Sequence, residues 1–205
     1  MKAHPIFARF YDRLARAMWP KEVEHRTELM AGLRGRVLEV GAGTGLNFKL
    51  YPEGVEVVAI EPEPNMAGRA VRRAAETPVR VRLVRAAAEG LPFRDGSFDA
   101  AVLSLVFCSV LDAKTAASEL RRVLREGGEV RIYEHVRSEN PRHARWQDWV
   151  TPIWRRINAG CRPNRDTAAR LRAAGFDVEV RRIPIGPPSP ARPHILGVAR
   201  PREQG

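Results

Sequence analysis

The most constraining feature of the chain is the run Val37-Leu-Glu-Val-Gly41-Ala-Gly43-Thr-Gly45, where apolar residues lead directly into three glycines within five positions. A short apolar run ending in glycine reads as a buried strand, and the glycines both permit positive φ and remove the Cβ atoms that would keep a ligand from the backbone. The spacing is G-x-G-x-G. Position 46 is Leu, so the dinucleotide pattern G-x-G-x-x-G fails at its third glycine, and no Gly-Lys-Ser/Thr follows, which excludes a P-loop. A second apolar run, Val55–Ile60, ends at Glu61, 20 residues after Gly41. There a carboxylate can accept hydrogen bonds from both hydroxyls of a ribose, so the turn and the acid together describe a nucleoside site.

The remaining pattern alternates short apolar runs with longer helical ones, which predicts an α/β fold on a mainly parallel sheet. Strands are expected at Arg36–Val40, Val55–Ile60, Val79–Val84, Phe98–Leu105, Glu129–Glu134, Asp177–Ile183 and His194–Ala199. Helices are expected near 44–51, 63–75, 113–124, 142–157 and 166–174, with Asp112 and Asp166 as N-terminal caps. Gly127-Gly128 and Gly175 should end helices where the next strand begins. The proline-rich Pro184–Pro193 reads as a stiff surface loop. At the N-terminus, Ile6–Trp19 places Phe7, Phe10, Leu14 and Met18 on one helical face, an amphipathic helix suited to covering a core or a ligand, with contact to a membrane surface as a second use. With 205 residues and no linker, the expectation is one domain over 1–205, residues 1–30 forming a helical lid segment.

These motifs resemble the class I S-adenosylmethionine-dependent methyltransferases. The likeness continues through Ala88-Glu89-Gly-Leu-Pro92-Phe-Arg-Asp95-Gly-Ser-Phe98-Asp99, similar to that family's adenine-side loop, and Arg122-Val-Leu-Arg-Glu-Gly127-Gly128, similar to its turn before the fifth strand. The resemblance implies a Rossmann-like fold with a seven-stranded sheet, its last strand antiparallel, and helices on both faces. It implies S-adenosylmethionine as cofactor, with Glu39, Gly41, Ala42, Gly43 and Gly45 at the methionine end, Glu61 at the ribose, Pro62, Ala88 and Glu89 around the adenine, and Leu105 at the end of the fourth strand. Where many relatives place Asp two positions before the counterpart of Glu89, this chain has Ala87. Within the superfamily, Leu105-Val-Phe-Cys108-Ser-Val110, Tyr133-Glu134-His135-Val136, Gly160-Cys161, Arg165-Asp166-Thr167 and Pro193-His194-Ile-Leu-Gly197 resemble the methyltransferase-like proteins whose animal members methylate small thiols. That implies transfer of a methyl group to a small, apolar thiol. Quinone C-methyltransferases and O-methyltransferases of hydrophobic phenols share the core motifs and stay open as alternatives.

Sulfonium methyl transfer needs alignment and exclusion of water more than acid-base machinery, and a thiol with a pKa near 8.5 is already a few per cent thiolate at neutral pH. His135, following the fifth strand, is the candidate catalytic base or orienting residue, with a structurally hydrogen-bonded histidine as the alternative; His194 and Cys108 read as structural, and Cys161 as a packing residue with contact to a thiol substrate as its alternative. Trp146, Trp149 and Trp154, with Met18 and Trp19, are candidates to wall an apolar pocket, and tryptophans spaced three and five apart equally suit ordinary helix packing. The acids form no metal constellation, and two cysteines are too few for a disulfide framework or a zinc cluster, so the expectation is no metal and free thiols.

Charge is the one extreme quantity: 35 Lys and Arg against 24 Asp and Glu, a net charge of +11. Residues 121–205 hold 18 of the bases and nine of the acids. Such an excess raises a nucleic-acid-binding alternative, but no Lys/Arg block longer than two residues occurs, and the arginines read as solvated surface with no nucleic-acid partner. No apolar run spans a membrane and the charged N-terminus is no signal peptide, so the expected location is cytoplasmic.

Overall fold

A computed structural model describes residues 5–202, with side chains described at Arg13 and from Ala17 onward. Seven strands form one sheet: β1 (Arg36–Val40), β2 (Glu56–Ile60), β3 (Arg80–Val84), β4 (Phe98–Ser104), β5 (Leu124–His135), β6 (Phe176–Pro184) and β7 (Pro193–Pro201). Their order is β3-β2-β1-β4-β5-β7-β6. The first five run parallel, and β7 lies antiparallel between β5 and β6. The helices are α1 (Pro5–Met30), α2 (Pro64–Ala74), α3 (Ala113–Val123), α4 (Pro141–Ile157) and α5 (Thr167–Ala173).

The central strands are apolar on both faces because both are covered. On one face Leu38, Val58, Leu103 and Ile132 meet Leu120 and Val123 of α3 and Leu171 of α5. On the other, Val37, Val57, Val102 and Tyr133 meet Leu29 and Met30 of α1 and Ala70 of α2. The caps form as the sequence suggests: Asp112 accepts from the Lys114 and Thr115 amides, and Asp166 from that of Ala169.

Three elements differ from the sequence expectation. The helix expected over 44–51 is reduced to a 3-10 turn at Phe48–Leu50, because the positive φ of Gly43 and Gly45 winds the preceding residues into tight turns. Gly127-Gly128 does not separate a helix from a strand. β5 starts at Leu124, and the two glycines lie inside it, where the register with β4 shifts. The N-terminal helix runs through Pro20 to Met30 rather than stopping at Trp19. A proline inside a helix costs about 3 kcal/mol, and here the tertiary contacts of the following turns offset it. The face expected from Phe7, Phe10 and Leu14 lies outside the described side chains.

Those contacts are polar as well as apolar. Arg26 is 7% exposed and donates to Glu22 (2.7 and 3.0 Å), Asn47 Oδ1 (2.8 Å) and Ser104 Oγ (2.9 Å). Asn47 then donates to Glu39 Oε1 (2.8 Å), and Tyr51 Oη to Glu39 Oε2 (3.1 Å). One buried network therefore joins α1, the segment after the glycine turn, β1 and β4. Removing one member of such a network strands the rest without solvent. Arg26→Ala should cost about 3 kcal/mol or more, whereas the paired Glu22→Leu/Arg26→Met exchange should cost much less, as measured by denaturant unfolding.

Burial raises the Glu39 carboxyl pKa to about 7, against the opposing effects of its Asn47 and Tyr51 hydrogen bonds and Arg26. The folded protein thus holds this proton more tightly than the unfolded chain. The corresponding stability is complete below the ordinary carboxylate pKa and is lost as pH rises to about 7. Unfolding free energy should fall by about 3 kcal/mol between pH 4.5 and 8 on this account, and Glu39→Gln should flatten that decline in a pH series of unfolding curves.

Candidate active site

At the C-terminal edge of the sheet, the chain leaves β1 towards β2 on one side and β4 towards β5 on the other, opening the crevice where α/β proteins bind ligands. The glycine turn leaves β1 here. Gly41, Gly43 and Gly45 have φ of 63, 57 and 79°. A Cβ on Gly41 would lie 2.1 Å from Val106 Cγ2, and one on Gly45 would run into Phe48, so both glycines are fixed by close packing. Gly43 differs: its Cβ would meet nothing within 4 Å, leaving backbone open to a ligand.

Glu61 lies beside that opening. Its Oε2 accepts from the Gly43 amide (2.8 Å) and its Oε1 from the Glu63 amide (2.9 Å). Burial raises its carboxyl pKa, while the two backbone bonds lower it. Each oxygen keeps a further acceptor direction, which two ribose hydroxyls can use. Both features fit a nucleoside cofactor with its ribose at Glu61.

The other expected cofactor residues gather along the same edge. Ala42 is tied to β2 through its amide and the Ile60 carbonyl (2.9 Å), and the Pro62 carbonyl accepts from Arg85 (3.3 Å). Ala88 is buried. Glu89 accepts from the Leu111 and Asp112 amides (2.8 and 3.2 Å), clasping the start of α3. Glu39 reaches the turn through Asn47. Leu105 sits at φ 57°, its amide donating to the Tyr133 carbonyl (2.8 Å).

Sequence reasoning missed Glu134. Fully buried at the end of β5, it accepts from the amides of Val106 and Phe107 (2.7 Å each) and Cys108 (3.1 Å). It thereby holds the turn that lies over Gly41. A charged residue directly after the buried pair Ile132-Tyr133, near the end of β5, was the available signal.

The acceptor side differs from expectation at the cysteines. His135 Nδ1 lies 3.6 Å from Cys108 Sγ and 3.6 Å from Cys161 Sγ, so both thiols meet the candidate catalytic histidine instead of only packing the core. The expectation of no metal rested on the acids and on cysteine number, whereas these three groups are potential ligands brought together from distant positions. Both cysteines are free thiols. The His194 ring lies 4.6 Å from that of His135 and stacks on Tyr133; burial, then the neighbouring His135, lowers its pKa to about 3 and keeps it neutral. The tryptophans do not jointly wall a pocket: Trp149 is 78% exposed on α4, and Trp146 is exposed too. Arg137, Arg181, Arg182, Arg200 and Arg202 from the basic C-terminal part pair with acids at the surface. No helix among the described residues is long and apolar enough to cross a membrane.

Comparison with known proteins agrees with this fold. Residues 38–132 match the methyltransferase domain family. Over 189 residues the chain is 36% identical to the human thiol S-methyltransferase TMT1B, covering 87% of this chain and 77% of that protein. It is 38% identical over 102 residues to the demethylmenaquinone methyltransferase of Thermus thermophilus, covering 48% of this chain and 46% of that one. In fold, it matches an S-adenosylmethionine-dependent methyltransferase from Aquifex aeolicus with a TM-score of 0.65 at 19% identity, over 97% of this chain and 98% of the other. With the seven-stranded sheet, its antiparallel last strand and the glycine turn, these matches lead to one conclusion: the chain belongs to the class I S-adenosylmethionine-dependent methyltransferases.

Proposed function

We propose that the enzyme transfers the methyl group of S-adenosylmethionine to the sulfur of a small, apolar thiol. One observation carries this reading: a contiguous match to a thiol S-methyltransferase over 87% of the chain necessarily takes in Cys108, His135 and Cys161, whereas the quinone-enzyme match spans only 48%. The similarity therefore extends beyond the cofactor half into the acceptor side.

The cofactor supplies a methyl group already activated on a sulfonium. The chain's own residues bind, orient and keep water out. Glu61 accepts the ribose hydroxyls, and Pro62, Ala88 and Glu89 border the adenine. Glu39, Gly41, Ala42, Gly43, Gly45 and Leu105 form the methionine end, with α1 closing over it as a lid. His135, half-buried at the end of β5, is the group beside the acceptor sulfur, orienting it or taking its proton. A weakly basic residue suffices, because a thiol is far more acidic than an alcohol.

Incubating the chain with methyl-labelled cofactor and a panel of thiols, phenols and quinones should yield labelled thioether; label in a phenol or quinone with none in any thiol overturns the assignment. His135→Gln should lower turnover about 10²-fold while leaving cofactor affinity unchanged by calorimetry. Glu61→Ala should weaken the cofactor by about 30-fold or more, the loss of two hydrogen bonds to a charged acceptor. Calorimetric titration of a variant with unchanged circular dichroism checks it, and affinity within about threefold of the parent removes Glu61 from the ribose.

A further inference from the structure

The Cys108, His135 and Cys161 ligand atoms all lie within 4.8 Å of one another, although the residues are far apart in sequence. Tetrahedral zinc, with Zn–S of about 2.3 Å and Zn–N of about 2.0–2.1 Å, places sulfur and nitrogen ligands about 3.6 Å apart. Both Sγ to Nδ1 separations are 3.6 Å.

The backbone holds this arrangement from both sides. The Cys108 amide is bound to Glu134 and its carbonyl accepts from the Arg162 amide (2.9 Å), while the Cys161 amide donates to the Asn158 carbonyl (2.8 Å). Arg165 fastens the segment after Cys161 to the turn bearing Cys108 through the Phe107 and Val110 carbonyls. Among the described residues, only two other than glycine have positive φ, Leu105 (57°) and Ala159 (49°). Each lies three or fewer positions before one of the cysteines. Such conformations persist where the surroundings over-determine them, and they cluster at functional sites. The indole N–H of Trp154, on α4 shortly before Cys161, is buried with no hydrogen-bond partner among the described residues. His135 is half-buried and the two cysteines are buried.

We propose that Cys108, His135 and Cys161 form a site for a zinc-like divalent cation, with its fourth coordination position open. Two thiolates and an imidazole are the donor set that selects such an ion over the hard cations. Three protein ligands with one open position are the pattern of catalytic rather than structural zinc sites.

What the open position takes rests on the thiol reading given above. An incoming thiol would bind there as thiolate, its proton leaving to solvent, since a coordinating thiol is deprotonated outright. That sulfur's electron pair forms the new bond to the methyl carbon as the sulfonium–methyl bond breaks and its pair returns to the cofactor sulfur. Products are a methyl thioether and the neutral demethylated cofactor. His135 then acts as a ligand, and the cation supplies the deprotonation otherwise left to it.

The experiment uses the untagged, reduced chain, loaded with Zn2+ and freed of excess. Elemental analysis should find about one zinc per chain, and a chromogenic chelator should report affinity weakened about 100-fold or more in Cys108→Ser and Cys161→Ser. Replacing zinc by Co2+ in the unmutated protein should produce a thiolate-to-cobalt charge-transfer band, a readout independent of how the variants fold. Substoichiometric zinc with no such band, or a Cys108–Cys161 disulfide formed in place of metal binding, overturns the site. If metal binds but only a phenol or quinone is methylated, the site stands and the thiol reading fails. If chelator-stripped and zinc-loaded enzyme methylate thiols at equal rates, the proposed role of the cation in deprotonation is overturned.

Discussion

The carboxylate of Glu134 is the point on which the rest of the site depends. A carboxylate placed this deep loses its hydration, and burial raises its pKa. It is tolerated because three successive backbone amides, those of Val106, Phe107 and Cys108, point at it. Satisfying one buried acid therefore fixes a whole turn. Through that turn it seats Val106 over Gly41, and it places Cys108 next to His135, the residue that follows Glu134 in the chain.

A second set of polar contacts works by the same logic on the other segments. Gln147 on α4 is fully buried, with Nε2 2.8–3.1 Å from the carbonyls of Val136, Pro163 and Pro190 and Oε1 accepting from the Ser138 amide. One side chain thus gathers the exit from β5, the loop carrying Cys161 and the proline-rich loop before β7. Arg26 does the equivalent for α1 and the segment after the glycine turn. Apolar packing builds the sheet and its two covered faces, while the loops that make the site are positioned by buried polar groups, which are directional and costly to leave unpaired.

This division explains how cofactor and acceptor sides can differ in character. The cofactor turn is built into the sheet edge, with glycines whose missing side chains are replaced by Val106 and Phe48 except at Gly43. The proposed acceptor side draws on the ends of β4 and β5 and the loop after α4. Relatives named for different acceptors match this chain over different extents, 87% for the thiol enzyme and 48% for the quinone enzyme.

The sequence alone determined the parts of the molecule governed by local pattern. Apolar period and glycine placement located six strands to within two residues at each end and the C-terminal end of β5, whose start lies five residues earlier than the pattern implied, and Asp112 and Asp166 marked helix starts, because strand burial and capping depend on neighbours in the chain. The glycine turn and Glu61 were read together as a nucleoside site from their spacing, which the single unit from β1 through the turn to β2 sets. Tertiary structure alone decided the rest. The continuation of α1 past Pro20 depends on Arg26 meeting Asn47 and Ser104, contacts that no local propensity encodes. Cys108, His135 and Cys161 read as two core cysteines and a lone histidine until β4, β5 and the loop after α4 converge. Their meeting is a property of the strand order and of Glu134 and Arg165, which bind backbone atoms far away in sequence.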